Sequence, residues 1–355
     1  MTWQGLHGHD EIVSHFRHSL ERGRLGSTFL FVGPPGIGKR SFALRLAQAL
    51  LCLRRPAEQL DPCGQCEDCQ QVLAGTHPDV EQLAKPAERS FIPLELLIGD
   101  RQHRLREGLC ARIALRPSRG HRKVAIIDDA DQLNVEGANC LLKTLEEPPP
   151  GSVLILIGTS PQRQLPTIRS RCQIVRFQPL ADTVAAQLLL ENEIVGSEAE
   201  ALRLARVSGG SLAYAAEMAA PELWQFREEF HAALDTDDWD YLESAGMVND
   251  FVDAAGTAAP ARRQRLKQVV EMAVEFYRDL LYATVGAKSP TIHDGHQRPA
   301  RLAERWQHDS ERAVRCLERC LAALRHIDAN ANKSTNIDAW LDDLARLARR
   351  ENVPV

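Results

Sequence analysis

The sequence has no long apolar run, no large net charge and no internal repeat. Its apolar runs fall well short of the roughly 20 residues that a membrane-spanning helix needs. The first residues, MTWQGLHGHDEIV, contain neither the basic nor the apolar segment of a signal peptide. The net charge of −5 gives no overall reason to expect nucleic-acid binding, so such a contact would be local or shared with partners. We therefore expect a cytoplasmic protein that does not enter a membrane.

Strand-like and helix-like runs alternate in the first half of the chain and give way to helices afterwards. Short apolar runs typical of buried parallel strands begin at Thr28, Lys123 and Ser152, and helical patterns follow the first two. This alternation predicts an α/β fold with a parallel sheet. The predicted domains are an α/β domain over residues 1–180, a small helical domain over 181–222 and a helical C-terminal domain over 223–355.

The C-terminal third contains amphipathic helical patterns. One set of apolar residues recurs at helical spacing within residues 266–281, and a second set consists of Val314, Leu317, Leu321 and Leu324. We expect each set to mark the apolar face of a helix.

The stretch FVGPPGIGKRS, residues 31–41, departs from a phosphate-binding loop at one position. Gly33, Gly38 and Lys39 fit the pattern G-x-x-x-x-G-K-[S/T], and Gly36 is a further glycine in the same loop. The glycines let backbone N–H groups close around phosphate oxygens. Arg40 stands where a hydroxyl normally ligates Mg²⁺, and a guanidinium has no lone pair to offer. The sequence therefore predicts a P-loop fold without ATP hydrolysis and leaves ATP or ADP binding open.

Two carboxylates, Asp128 and Asp129, follow the second strand-like run. In ATPases of this type, one carboxylate at this point helps to hold Mg²⁺, and a following Glu orients the attacking water. Asp128 fits the metal side, whereas Asp129 is one methylene shorter than Glu, and small misplacements are costly in catalysis. The alternative interpretation is that both are solvated carboxylates at the end of a strand.

Four cysteines lie in the spacing C-x10-C-x2-C-x2-C, at Cys52, Cys63, Cys66 and Cys69. Four thiolates match tetrahedral zinc and leave no open coordination position for catalysis. We therefore predict one structural Zn²⁺ per chain in an insertion over residues 52–69. The alternative, free or disulfide-bonded cysteines, fits the spacing and a reducing compartment less well.

Six motifs follow one another along residues 5–180, namely GPPGIGK, CxxCxxC, THPDV, KVAIIDDAD, NCLLKTLEEPP and IRSRC. In this order they resemble the clamp-loader AAA+ subunits of bacterial DNA polymerase III. The resemblance implies an AAA+ domain, a helical lid and an all-α C-terminal collar. It also implies a hetero-oligomeric ring with motor (tau/gamma) and delta subunits, which loads a sliding clamp onto primed DNA. Such a ring is part of a DNA polymerase holoenzyme, a nucleotidyltransferase.

Zinc-bearing subunits of that family are either ATP-hydrolysing motors or catalytically silent stators. Arg40, Asp129 and Ala213, the last in place of the motor's sensor arginine, make this sequence similar to the silent kind. The arginine of the SRC motif, here Arg171, is the family's arginine finger, which reaches the ATP site of an adjacent subunit. Thr159 matches the family's sensor position after the third strand. The resemblance thus implies a chain that is not catalytic alone and acts on its neighbour.

Three other interpretations remain open. The chain is an ATP-hydrolysing motor that tolerates Arg40, another AAA+ loader such as a helicase loader, or a zinc-dependent DNA-binding protein. ATP turnover by the isolated chain, association with the motor subunits, and salt-dependent DNA binding separate these interpretations.

Overall fold

A computed structural model of the chain describes residues 2–3, 5–86, 88–89, 91–104, 106–236, 239–287, 298–329 and 331–351. The chain divides into two compact units, Met1–Ala215 and Ala216–Val355. None of the described helices has both the length and the apolar character that crossing a membrane requires. The division into three domains at residues 180 and 222 stays a prediction.

The first unit contains a parallel sheet of five strands and a separate antiparallel pair. The strands are β1 Thr2–Trp3, β2 Leu6–His7, β3 Thr28–Val32, β4 Val80–Leu83, β5 Lys123–Ile127, β6 Ser152–Ile157 and β7 Gln173–Arg176. The large sheet has the order β4-β5-β6-β3-β7, and every neighbouring pair in it is parallel. This order, with the glycine-rich loop after the strand second from one edge, is an AAA+ α/β fold, as the sequence predicted.

Helices account for most of the remaining chain. In the first 218 residues they are α1 Asp10–Glu21, α2 Lys39–Leu51, α3 Glu67–Ala74, α4 Leu94–Ile98, α5 Gly108–Ala114, α6 Val135–Glu146, α7 Pro166–Arg169, α8 Asp182–Glu191, α9 Glu198–Val207 and α10 Leu212–Met218. The others are α11 Pro221–Leu234, α12 Tyr241–Asp253, α13 Ala259–Thr284, α14 Arg298–Arg305, α15 Ser310–Asp328 and α16 Lys333–Ala348.

The sheet is covered on both faces, which explains why its inner strands are continuously apolar. Side chains alternate along β3, so Phe29 and Phe31 pack with α1 and α2 on one face. Leu30 and Val32 pack with α4, α5 and α6 on the other face. All residues of β5 and β6 are buried. The carboxyl ends of these strands are therefore fixed, and the loops that follow them start from a rigid edge.

Two strands of the sheet were not predicted. β4 has a single fully buried residue, Leu83, and β7 has only Val175. Both strands are four residues long and lie at the edges of the sheet, so neither has the continuous apolar run that identifies an inner strand.

The second unit is helical, as predicted, and its helix α15 buries an unexpected face. Among the members of the second apolar set, Val314 and Leu321 are 37% and 41% exposed. Helices α13 and α16 instead pack against the small side chains of α15, which are Ala313, Cys316, Cys320 and Ala323. The set Val314, Leu317, Leu321 and Leu324, called the α15 stripe below, is therefore not the buried face of this helix.

Candidate functional site

The phosphate-binding loop, residues 33–38, joins the carboxyl end of β3 to α2. Gly33, Gly36 and Gly38 have φ values of 150°, 74° and 97°, which glycine adopts without strain. Within the described part of the chain, the backbone N–H groups of residues 36–41 have no acceptor. The loop therefore has the predicted shape, with a row of donors where α2 begins.

Lys39 is turned back onto this loop. Its Nζ donates to the carbonyl oxygens of Gly33 and Pro34 over 2.7 and 2.5 Å, and only 7% of the residue is exposed. Burial lowers the pKa of Lys39, and the nearby carboxylates of Asp128 and Asp131 oppose that change. The ammonium group thus lies within the loop that would surround a phosphate.

Arg40 pairs with the carboxylate that was predicted to face a metal. Its Nη1 lies 3.8 Å from Asp128 Oδ2, and its Nη2 lies 3.5 Å from Gln82 Oε1. Burial raises the pKa of Asp128, whereas the charges of Arg40 and Lys39 lower it. Asp129 is exposed, with a left-handed φ of 52°, and its N–H donates to Asp128 Oδ1 over 3.0 Å.

The Mg²⁺ that an AAA+ fold implies does not fit this set of side chains. A magnesium ion needs oxygen ligands and a near-octahedral shell. Arg40 supplies no lone pair, and its guanidinium is already beside the only predicted metal-side carboxylate, that of Asp128.

Thr159, at the predicted sensor position, is bound to a carboxylate that sequence reasoning missed. Its Oγ1 and its N–H donate to Asp131 Oδ2 over 2.5 and 2.7 Å. Gln164 Nε2 donates to the other oxygen of Asp131 over 2.7 Å, and the Asp131 side chain is 5% exposed. The threonine hydroxyl proton is thus already committed to a buried acceptor rather than to a bound phosphate.

The start of α10 contacts the same loop directly. The carbonyl oxygen of Gly36 accepts hydrogen bonds from the N–H groups of Leu212 and Ala213, over 3.1 and 3.4 Å. A Cβ on Gly36 would collide with Ser211 Oγ and would lie 2.7 Å from the Cβ of Ala213. A glycine is therefore required at residue 36 both for its φ and for this contact.

Arg171 lies between α7 and β7, on the surface. Its Nε donates to Glu146 Oε1 over 2.8 Å, and Nη2 contacts the same oxygen. Nη1 donates to the Thr167 carbonyl over 2.9 Å and to Ser170 Oγ over 3.2 Å. The Arg171 and Glu146 side chains are 31% and 48% exposed. Glu146 belongs to the LLKTLEEPP motif, but no spacing rule in the sequence connected it with Arg171.

Arg171 and the phosphate-binding loop lie at opposite ends of the parallel strands, Arg171 at the amino ends and the loop at the carboxyl ends. The carbonyl of Arg171 accepts a hydrogen bond of 2.6 Å from Thr28 Oγ1, and Thr28 begins β3. The loop follows Val32, the last residue of the same strand. Four residues of a parallel strand span roughly 13 Å. Lys39, Asp128 and Thr159 are thus brought together at the carboxyl edge, and Arg171 is not among them.

The four predicted cysteine ligands do come together. One sulfur from each of Cys52, Cys63, Cys66 and Cys69 lies within 4.8 Å of the other three. Cys52 ends α2 and Cys66 caps the start of α3, where its Sγ accepts from the N–H of Cys69 over 3.4 Å. Backbone N–H groups of Gln65 and Cys66 help to lower the pKa of Cys63 to about 6, whereas burial raises the pKa of Cys66 and Cys69. The cluster could hold a metal ion, and its donors suit zinc.

The THPDV motif supports this cluster. His77 is buried, and its Nε2 lies 3.3 Å from Oδ1 of Asp68, which neighbours Cys69. The carboxylate of Asp79 accepts hydrogen bonds of 2.7 Å from the N–H groups of Ser118 and Arg119. The side chain of Arg119 in turn contacts Asp68 and the exposed Glu67 of α3. These polar contacts have a structural role that the sequence did not reveal.

Known proteins match the α/β part of the chain. A family model described as "DNA polymerase III, delta subunit" matches residues 8–181. The DNA polymerase III subunit delta' of Bacillus subtilis is 36% identical over 177 residues, which are 50% of each chain. The subunit delta' of Pseudomonas aeruginosa is 40% identical over 191 residues, 54% of this chain and 55% of that one. Residues 8–181 therefore belong to this family of DNA polymerase III subunits.

Subunits of DNA polymerase III with other names also match. The subunit tau of Escherichia coli is 31% identical over 215 residues, 59% of this chain and 31% of tau. A gamma-subunit-related protein of Thermotoga maritima aligns with 95% of this chain and 99% of its own, at 16% identity and a TM-score of 0.39. The chain matches only about half the length of its curated delta' relatives. The chain is thus similar to delta' and to tau subunits alike.

Proposed function

We propose that this chain is the delta-prime subunit of a bacterial clamp loader, a stator that does not hydrolyse ATP. In this role it presents Arg171 to ATP held by a neighbouring motor subunit. The observation that carries the proposal is the position of Arg171 at the amino ends of the parallel strands, opposite the end at which its own loop lies. From there the guanidinium is too far from its own loop to serve it, but it is available on the surface.

Three differences from an ATP-hydrolysing site, all at or near the phosphate-binding loop, support the absence of hydrolysis. Arg40 occupies the place of a metal-binding hydroxyl and pairs with Asp128. Asp129 is exposed and too short to take over the role of a water-orienting Glu. Ala213, at the start of α10, has no charge to offer a γ-phosphate. Phosphoryl transfer depends on positioning and on stabilising charge, so these losses affect the same step.

Arg171 can leave its present partner at little cost. The ion pair with Glu146 is partly exposed, and exposed pairs contribute only about 0–1 kcal/mol. An ATP phosphate is a stronger partner, because a guanidinium binds phosphate oxygens through two parallel hydrogen bonds. Glu146 thus holds the arginine in an ordered position until a partner subunit supplies the phosphate.

The proposed partners are motor subunits of the tau/gamma type and a delta subunit in a ring. The helical second unit would serve as the collar of that ring, and the partly exposed α15 stripe is its proposed contact face. Through the ring, the chain would take part in placing a sliding clamp on primed DNA. The cysteine cluster would hold one zinc ion with a purely structural role.

The test is ATP turnover by the reconstituted complex. Arg171→Ala should lower the turnover of the adjacent site by about a thousandfold or more, because arginine fingers contribute on that scale. Assembly should persist. Arg176→Ala is the matched control, since Arg176 is exposed at the other end of β7 and should leave turnover unchanged.

Three results would contradict the proposal. Full ATP turnover by the Arg171→Ala complex would show that Arg171 does not act as an arginine finger. ATP hydrolysis by the isolated chain that Lys39→Ala abolishes would make it a motor instead. Failure to associate with tau/gamma subunits would point to a different AAA+ loader.

A further inference from the structure

We propose that the phosphate-binding loop takes up a nucleotide without a divalent cation, with the Arg40 guanidinium in place of the metal. The ligand class is a nucleoside diphosphate or triphosphate in its metal-free form. This inference does not depend on Arg171 acting in a neighbour, so either proposal can fail without the other.

The loop retains what is needed to hold phosphate oxygens. The N–H groups of residues 36–41 lack acceptors within the described chain, and they surround the start of a helix of 13 residues. Lys39 is only 7% exposed, and its ammonium group donates hydrogen bonds to two carbonyl oxygens of the same loop. A phosphate entering the loop would exchange those two neutral acceptors for a charged one, which forms stronger hydrogen bonds.

Arg40 has the charge and the reach to bind the same phosphates. It follows Lys39 in the first turn of α2, and 57% of its side chain is exposed. Its Nη1 is 3.8 Å from Oδ2 of Asp128, the carboxylate predicted to face a metal. Magnesium normally bridges a carboxylate and the phosphates at this point. A guanidinium with five donors can make the same bridge without any metal.

A magnesium ion would be disfavoured beside these residues. The Arg40 guanidinium is already beside the metal-side carboxylate of Asp128, and a dication brought close to it would be repelled. In solution Mg²⁺ also binds the phosphates of free nucleotides. A site that accepts only the metal-free form therefore competes with Mg²⁺, and added Mg²⁺ should weaken binding instead of strengthening it.

The experiment measures the affinity of the full chain for ADP by calorimetry, in EDTA and in excess MgCl₂. The wild type should bind ADP in EDTA, and MgCl₂ should lower that affinity. Arg40→Thr restores a metal-binding hydroxyl, so MgCl₂ should raise its affinity for ADP. Lys39→Ala should lose about ten- to a hundredfold in affinity, the usual effect of removing a charged hydrogen bond.

Arg17→Thr is the matched control, because Arg17 is exposed on α1 and away from the loop. It should behave as the wild type does. Binding of ADP by the wild type only when Mg²⁺ is present would overturn the inference, as would the absence of ADP binding in both buffers. If Arg40→Thr does not fold, the effect of MgCl₂ on the wild type still decides the question.

Discussion

At the scale of single residues, the side chains that carry the motifs were predictable and their partners were not. Arg171 and Lys39 each belong to a short sequence motif that forms a single loop or turn, so local spacing identifies them. Glu146 and Asp131, by contrast, meet Arg171 and Thr159 across 25 and 28 residues of sequence. Such pairs depend on how α6 and the turn after β5 are packed, and a local pattern contains no information on that.

Gly36 offers a test at this scale. We expect Gly36→Ala to weaken the contact between the loop and α10, because the new Cβ would collide with Ser211 and Ala213. The left-handed φ adds a cost of about 1–2 kcal/mol for a non-glycine residue. The amides of Leu212 and Ala213, which donate to Gly36, should then exchange their hydrogens faster.

Gly23→Ala is the matched control for that experiment. Gly23 has a similar φ of 62°, but no atom lies within 4 Å of a Cβ built there. It should carry the backbone cost alone and leave the exchange of the Leu212 and Ala213 amides unchanged. Equal protection of these amides in the wild type and in Gly36→Ala would show that the contact contributes nothing.

At the scale of elements, predictions succeeded where the sequence pattern has one physical cause. The inner strands β3, β5 and β6 carry short, continuous apolar runs because both faces of the sheet are covered. For α15 the pattern had two possible causes, burial within the chain and exposure of an apolar surface. The helix was predicted correctly, but its small residues form the buried face because α13 and α16 approach them closely.

The cysteine cluster is the element whose metal can be tested directly. We expect about one zinc per chain in the wild type and far less in Cys69→Ser, because four ligands are needed for a closed site. A chelator should lower the melting temperature of the wild type, since metal binding stabilises only the folded cluster. Metal analysis and thermal unfolding measure the two effects.

Cys140→Ser is the control for the zinc experiment. Cys140 lies on α6, outside the cluster, so this variant should keep its zinc. A wild-type chain that folds with the same melting temperature and no bound zinc would refute the metal assignment.

At the scale of the whole molecule, the proposed assembly makes the α15 stripe a contact surface. We expect Leu321→Glu to weaken binding to motor subunits about tenfold or more, because a charge would be buried in an apolar interface. Leu321 is 41% exposed, so the melting temperature of the isolated chain should change little. Surface plasmon resonance against immobilised motor subunits measures the affinity.

Leu242→Glu is the matched control for this prediction. Leu242 is 66% exposed on α12, and a carboxylate suits the first turn of a helix. Its affinity should equal that of the wild type. Unchanged binding of Leu321→Glu would exclude the α15 stripe from the interface, and equal losses in both variants would indicate a nonspecific charge effect.

In the proposed assembly, the opposite placement of Arg171 and the phosphate-binding loop gives the row of subunits a direction. The surface of one chain that carries Arg171 contacts the phosphate-binding loop of the next chain. This contact is head-to-tail, so a row of subunits has two different ends. Every ATP site that hydrolyses ATP then needs a neighbouring subunit that supplies an arginine to it. A chain that donates Arg171 but hydrolyses nothing needs no donor of its own, so it suits the first place in the row. In any interior place it would leave one silent site between working ones.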